Sequence, residues 1–168
     1  MTTIRRFDDD DWASLWITLV PVFRAGRTYS YAPDISEGQA YAEWIEKPLA
    51  TFVAVDEFTG QLLGSYFIKP NQPGSGNHVC NCGYIVDARA RGAGVASALC
   101  AHSQREAVAQ GFRAMQYNLV VETNTGAIRL WQYHGFSIVG RLPRAFRHPE
   151  QGEVDALVMY KQLVDTNG

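Results

Sequence analysis

The chain has 168 residues, 46% of them hydrophobic and 19% charged, with a formal net charge of −2. That is enough apolar material for one sizeable core and too much for a disordered chain, so one domain over residues 1–168 is expected. The charge balance argues against a nucleic-acid partner. No stretch reaches the ~20 apolar residues of a membrane span, and Met1 to Asp10 lack the apolar run of a secretory leader.

Thr3 to Phe7 read as a short edge strand, and Asp8 to Asp11 offer helix caps before Trp12, Leu15, Trp16 and Leu19, which recur at helical spacing. That helix is expected to end near Pro21 to Gly26, and a loop carrying Arg27, Tyr29 and Tyr31 follows. Ser36 caps a second helix, Gln39 completes a capping box, and Ala40 and Trp44 continue its apolar face. Thr51 to Val55 and Leu62 to Ile68 read as a hairpin joined by Glu57 to Gln61. Pro70 to Gly76 is a loop and Val79 to Val86 a further strand.

Cys80 and Cys82 would point the same way from that strand, so a disulfide between them would be strained. Neither they nor Cys100 have a second ligand pair for zinc. Reduced thiols, no metal and a cytoplasmic location are the expectation.

After Arg89 to Gly94 comes a long helix to about Gln110, stopped by Gly111. Ala114 to Val121 is a strand, Asn124 to His134 a helix, Phe136 to Val139 a strand, Arg144 to Gly152 a loop and Val154 to Leu163 a last strand. Hairpins first, then strands alternating with helices, imply an α/β mixture around a mixed, largely antiparallel sheet.

The segment Ile85-Val86-Asp87-Ala88-Arg89-Ala90-Arg91-Gly92-Ala93-Gly94-Val95-Ala96 runs strand, glycine-rich turn, helix start. Amides opening a helix lack internal partners, and the helix dipole favours an anion there. Gly92 and Gly94 carry no side chain to obstruct a phosphate, Ala96 keeps the next turn small, and Arg89 and Arg91 add charge. No Gly-Lys-Ser/Thr follows, so this is not a Walker loop, and the dinucleotide fingerprint is absent as well.

Arg91-Gly92-Ala93-Gly94-Val95-Ala96 resembles the Gln/Arg-x-x-Gly-x-Gly/Ala signature of the GCN5-related N-acetyltransferases (GNAT). Asn124 to Phe136 nearly match a second segment of that family, Asn-x-x-Ala-x-x-Leu-Tyr-x-x-x-Gly-Phe. The resemblance implies an acyl-CoA N-acyltransferase fold of about seven strands and about four helices. It also implies an enzyme that moves the acetyl group of acetyl-CoA to a small-molecule amine, working as a homodimer. The central strands ending near Val86 and Val121 would splay, with the pantetheine arm pairing to the first of them. Amides of Gly92, Ala93, Gly94, Val95 and Ala96, together with Arg91, would take the pyrophosphate. Asn124 would bond the arm or phosphates, and Trp131 would pack around the pantetheine.

His78 to Tyr84 and Asn118 to Asn124 resemble a narrower group, the fungal acetyltransferases of proline analogues such as azetidine-2-carboxylate and their bacterial relatives. In that group the asparagines matching Asn81, Asn118 and Asn124 lie in the catalytic cleft. Asn81 and Asn118 would each serve as ligand or catalytic group, or else be satisfied by backbone at a bulge. Tyr29 and Tyr31 would cover the acceptor, and Arg27, Arg144, Arg147 and His148 could touch it. Strand alternation puts Glu122 on the face of Asn118, which makes it the candidate general base.

Many family members have a tyrosine at the position of Trp131, and indole cannot protonate the leaving sulfur. Tyr133 lies about 200° round the helix from it and is a poor replacement. A thiol pKa of about 8.5 makes the thiolate a fair leaving group unaided. The competing reading is a non-catalytic acyl-CoA sensor or scaffold.

Overall fold

The computed structural model describes residues 1–165. Strand β1 (Thr2–Arg6) ends where Asp8 turns the chain. Its carboxylate accepts from the Asp10 amide while Asp11 reaches back to the Asp8 amide. Helix α1 (Trp12–Ala25) follows and stops at Gly26, which takes the left-handed conformation at φ 63°. Ser36 and Gln39 form the expected capping box and start helix α2 (Glu37–Tyr41). The chain then widens into a π-type turn, Ala42–Glu46, that buries Trp44 with its indole N–H on Ser65 Oγ at 3.0 Å.

Strands β2 (Ala50–Asp56), β3 (Leu62–Pro70) and β4 (Val79–Val86) form an antiparallel meander. Helix α3 (Val95–Ala109), strand β5 (Ala114–Val121) and helix α4 (Thr125–Tyr133) follow, then strands β6 (Ser137–His148) and β7 (Gly152–Gln162). The sheet has seven strands in the order β1-β2-β3-β4-β5-β7-β6, and the β4–β5 pair alone is parallel. This is the expected α+β architecture with four α-helices.

One boundary differs. The expected loop from Arg144 is instead the second half of β6, which runs on to His148. Pro143 and Arg144 fall within a register shift between Leu142 and Phe146, and Arg144 takes φ 53°. A bulge on an outer strand accommodates a residue without an N–H, so the composition of a loop hides a strand.

The sheet separates two main cores, and a third small cluster joins Val121, Phe146 and Val154. Leu15, Leu19, Phe23, Trp44, Phe67 and Ile85 pack beneath α1 and α2. Tyr66, Cys80, Cys82, Leu99, Met115 and Tyr117 pack on the other face, toward α3 and α4. All three cysteines are free and buried. Among the described residues no helix is long and apolar enough to cross a membrane, and none forms a metal-binding cluster.

Candidate active site

Strands β4 and β5 pair only at Val79–Ala114 and Cys80–Met115, then part. Asn81 sits at the fork, where its side-chain Nδ2 donates to the Gln116 carbonyl at 2.9 Å. The Val79 carbonyl and the Asp87 amide both bond toward β3, so odd-numbered residues of β4 direct their amides that way. By alternation Cys82, Tyr84 and Val86 direct theirs into the gap. A cleft of about 820 Å³ passes through it.

At one end the cleft meets the start of α3. Gly92 and Gly94 adopt φ 78° and 79°, a region that favours glycine. The first amide bonded back within the helix is that of Ala98, to Gly94 O at 3.0 Å. The amides of Val95, Ala96 and Ser97 therefore have no intrahelical acceptor. The Ala93 amide, expected to face the phosphate, is already engaged with Ala90 O at 3.3 Å. Arg91 lines the cleft and makes no ion pair among the described residues.

Arg89 differs from expectation. Its guanidinium is bound to Asp87 at 2.9 and 3.0 Å and is not free for an anion. The Asp87 carboxyl, buried and also reached by Thr18, is held down at about 2 by the Arg89 hydrogen bonds.

Val86, Ala96, Asn124 and Trp131 also line the cleft. Asn124 caps α4, its Oδ1 accepting from the Ala127 amide at 3.4 Å. The Trp131 ring packs within 5.0 Å of the Tyr117 ring and 4.9 Å of the Tyr84 ring. The hydroxyls of those tyrosines lie 2.9 Å apart, and burial pushes both phenols up. Sequence reasoning missed this pair because nothing in the separate strands signals that they meet.

The other end opens on the α1 face. Lys69 pairs with Asn81 and Phe67 with Gly83 across β3 and β4, so these four share one face. Tyr29 donates its hydroxyl to Tyr84 O at 2.7 Å, and its ring stacks on Tyr31. A Cβ on Gly83 would lie 2.5 Å from the Phe67 ring and 3.2 Å from the Tyr29 hydroxyl, so glycine is what lets both close over the strand. Asn118 joins Asn71 at 2.7 Å and Gln116 at 2.9 Å and also lines the cleft. Lys69 was not singled out in the sequence. Its partner Asn81 lies across a strand pair, and a single-strand pattern carries no such information.

Glu122 does not share a face with Asn118. A register shift between Tyr117 and Val120 adds a residue to β5 and reverses the alternation, so Glu122 follows Val120 and Tyr117. Its carboxylate bonds Arg141 at 2.9 Å and the Asp155 amide at 3.2 Å, and it is not part of the cleft wall. Arg27 lines the cleft but is paired with Glu150. Arg144 and Arg147 face Glu153, and His148 accepts from the Glu150 and Gln151 amides; none of the three lines the cleft.

The sequence model of the Acetyltransferase (GNAT) family matches residues 13–136. The chain belongs to that family. A GCN5-related N-acetyltransferase from Kribbella flavida superposes with TM-score 0.91 at 42% identity, covering 96% of this chain and 97% of the other. A GNAT-superfamily phosphinothricin acetyltransferase from Sinorhizobium meliloti, solved with AcCoA, has the same fold at TM-score 0.83 and 19% identity, over 96% and 88% of the two chains. N-acetyltransferase aca1 of Schizosaccharomyces pombe is 38% identical over 98 residues, 58% of this GNAT chain. The match spans about half of that protein, 47% of its length.

Proposed function

We propose that this GNAT protein transfers the acetyl group of acetyl-CoA to the amine of a small molecule by direct attack. The observation that carries the proposal is the fork between β4 and β5. It runs from a basic, amide-lined helix start to a covered pocket on the opposite face of the sheet.

Acetyl-CoA, when bound, supplies the activated acetyl group. The features of the cleft fit it part by part. The α3 amides and Arg91 suit a diphosphate, and the open amides of β4 suit an extended amide-bearing arm. Trp131 makes an apolar wall. An amide of Cys82 or Tyr84 directed into the gap is positioned to donate to a carbonyl oxygen as it gains charge. Asn81 and Asn118 present side-chain amides where the acceptor would sit, and Tyr29 and Tyr31 roof it.

Among the described residues the cleft wall contains no Asp, Glu or His. The acceptor nitrogen then loses its proton to water, and Glu122 takes no part as base. Likeness of the runs around Asn81 and Asn118 to the proline-analogue acetyltransferases makes imino acids the first acceptors to try. A cytoplasmic location fits three free, buried thiols. A homodimer fits the outer strand β6, which pairs only with β7 among the described residues and exposes Ile138, Val139 and Leu142.

Free-thiol release from acetyl-CoA, followed with an amine panel, tests the assignment. Acceptor-dependent thiol together with acetylated amine supports it. Binding of acetyl-CoA with no thiol release from any amine marks the protein as an acyl-CoA sensor or scaffold instead.

A further inference from the structure

The cleft is charged asymmetrically. Its wall carries three cations, Arg27, Lys69 and Arg91, and among the described residues no carboxylate. Arg91 lies at the α3 end, where the diphosphate of the donor is proposed to sit. Arg27 is paired with Glu150 at the exposed rim. That leaves Lys69 in the acceptor half, with no ion pair among the described residues.

Lys69 is placed with some care. It is half-buried near the end of β3, its ammonium lies 5.3 Å from the centre of the Phe67 ring, and Asn81 at the fork stands directly opposite it. An ammonium on the cleft wall without a counter-ion is an open position for an anion. A polyamine or other polycation entering here would meet like charge and find no acceptor carboxylate to replace its water.

We infer that the acceptor is an amino or imino acid whose free carboxylate is bound by Lys69, with its nitrogen directed toward the fork beside Asn81. The inference rests on the acetyltransferase assignment and narrows it. Lys69 is a specificity residue. It holds the carboxylate and takes no proton.

The test measures kcat/KM by thiol release for matched acceptors: proline and a panel of common amino acids, each beside its carboxamide, with pyrrolidine and spermidine added. The unmodified protein should prefer acid to carboxamide by about tenfold or more, the range expected of one charged hydrogen bond. Lys69→Met should lower kcat/KM for the acid about tenfold more than for its carboxamide, chiefly through KM, and Lys69→Arg should restore part of the preference. Equal losses for acid and carboxamide in Lys69→Met would reduce Lys69 to a structural role and overturn the inference. So would a carboxamide, pyrrolidine or spermidine preferred by the unmodified protein, and either of those results would leave the acetyltransferase assignment standing. Silence across the whole panel would overturn both.

Discussion

The Asn81 side chain donates to the Gln116 carbonyl at 2.9 Å, at the level where β4 and β5 stop pairing. One side-chain amide thus continues the ladder for a step after the backbones have separated, and it fixes the apex of the cleft. Asn81→Ala should reduce kcat/KM about tenfold, the worth of one part-buried hydrogen bond. Asn81→Asp should be worse, because a carboxylate would face a carbonyl oxygen. Thiol-release kinetics on both variants, with acetyl-CoA affinity measured alongside, check this.

Gly83→Ala should destabilise the protein by about 1–3 kcal/mol, because the new methyl would overlap the Phe67 ring. At roughly 2–4 °C per kcal/mol, a thermal melt will resolve the change. KM for the acceptor should rise as well, since Tyr29 is displaced from the strand.

Arg91→Ala should raise the acetyl-CoA dissociation constant about tenfold. The difference from the unmodified protein should shrink at high salt, because Arg91 is exposed and its charge is screened. Titration calorimetry at two ionic strengths reads both effects.

The pH–rate profile should follow the acceptor. With no titratable carboxylate or imidazole in the cleft wall, log kcat/KM should climb with unit slope as pH rises toward the acceptor ammonium's own pKa, then level. Glu122→Gln should leave that shape unchanged. An added inflection that vanishes in Glu122→Gln would return Glu122 to the mechanism.

Asp87 ties the end of β4 to Arg89 and to Thr18 of α1. Its folded pKa, about 2, lies below the ordinary 3.8, so the carboxylate stabilises the fold fully above about pH 4. That contribution, about 2 kcal/mol from the size of the shift, is lost as pH falls from about 4 through 2. Asp87→Asn should be less stable at pH 7 and lose less on acidification. Denaturant unfolding at pH 7 and pH 3 compares the two.

The architecture and the glycine turn that opens α3 were legible in the sequence because their signals are local. The Ser36–Gln39 capping box, the strand Val79 to Val86 and the turn at Arg91 to Ala96 each reside in a few consecutive residues whose backbone preferences decide the outcome. The end of the cleft on the α1 face was only partly legible. Asn81, Asn118, Tyr29 and Tyr31 line the cleft as their positions suggested, but Lys69 went unnoticed and Glu122 was assigned to the wrong face.

By itself, then, the chain's order of residues determined the family, the sheet and the glycine turn that opens α3. Tertiary structure decided which charges are free. Arg27 is taken by Glu150 and Glu122 by Arg141, while Lys69 and Arg91 line the cleft with no ion pair among the described residues. The physical reason is that the Arg27 and Glu122 pairs and the bulge depend on what a distant segment brings opposite, whereas the Asp87–Arg89 pair spans only two residues. The bulge in β5 exists only against β7, and no window of consecutive residues contains both.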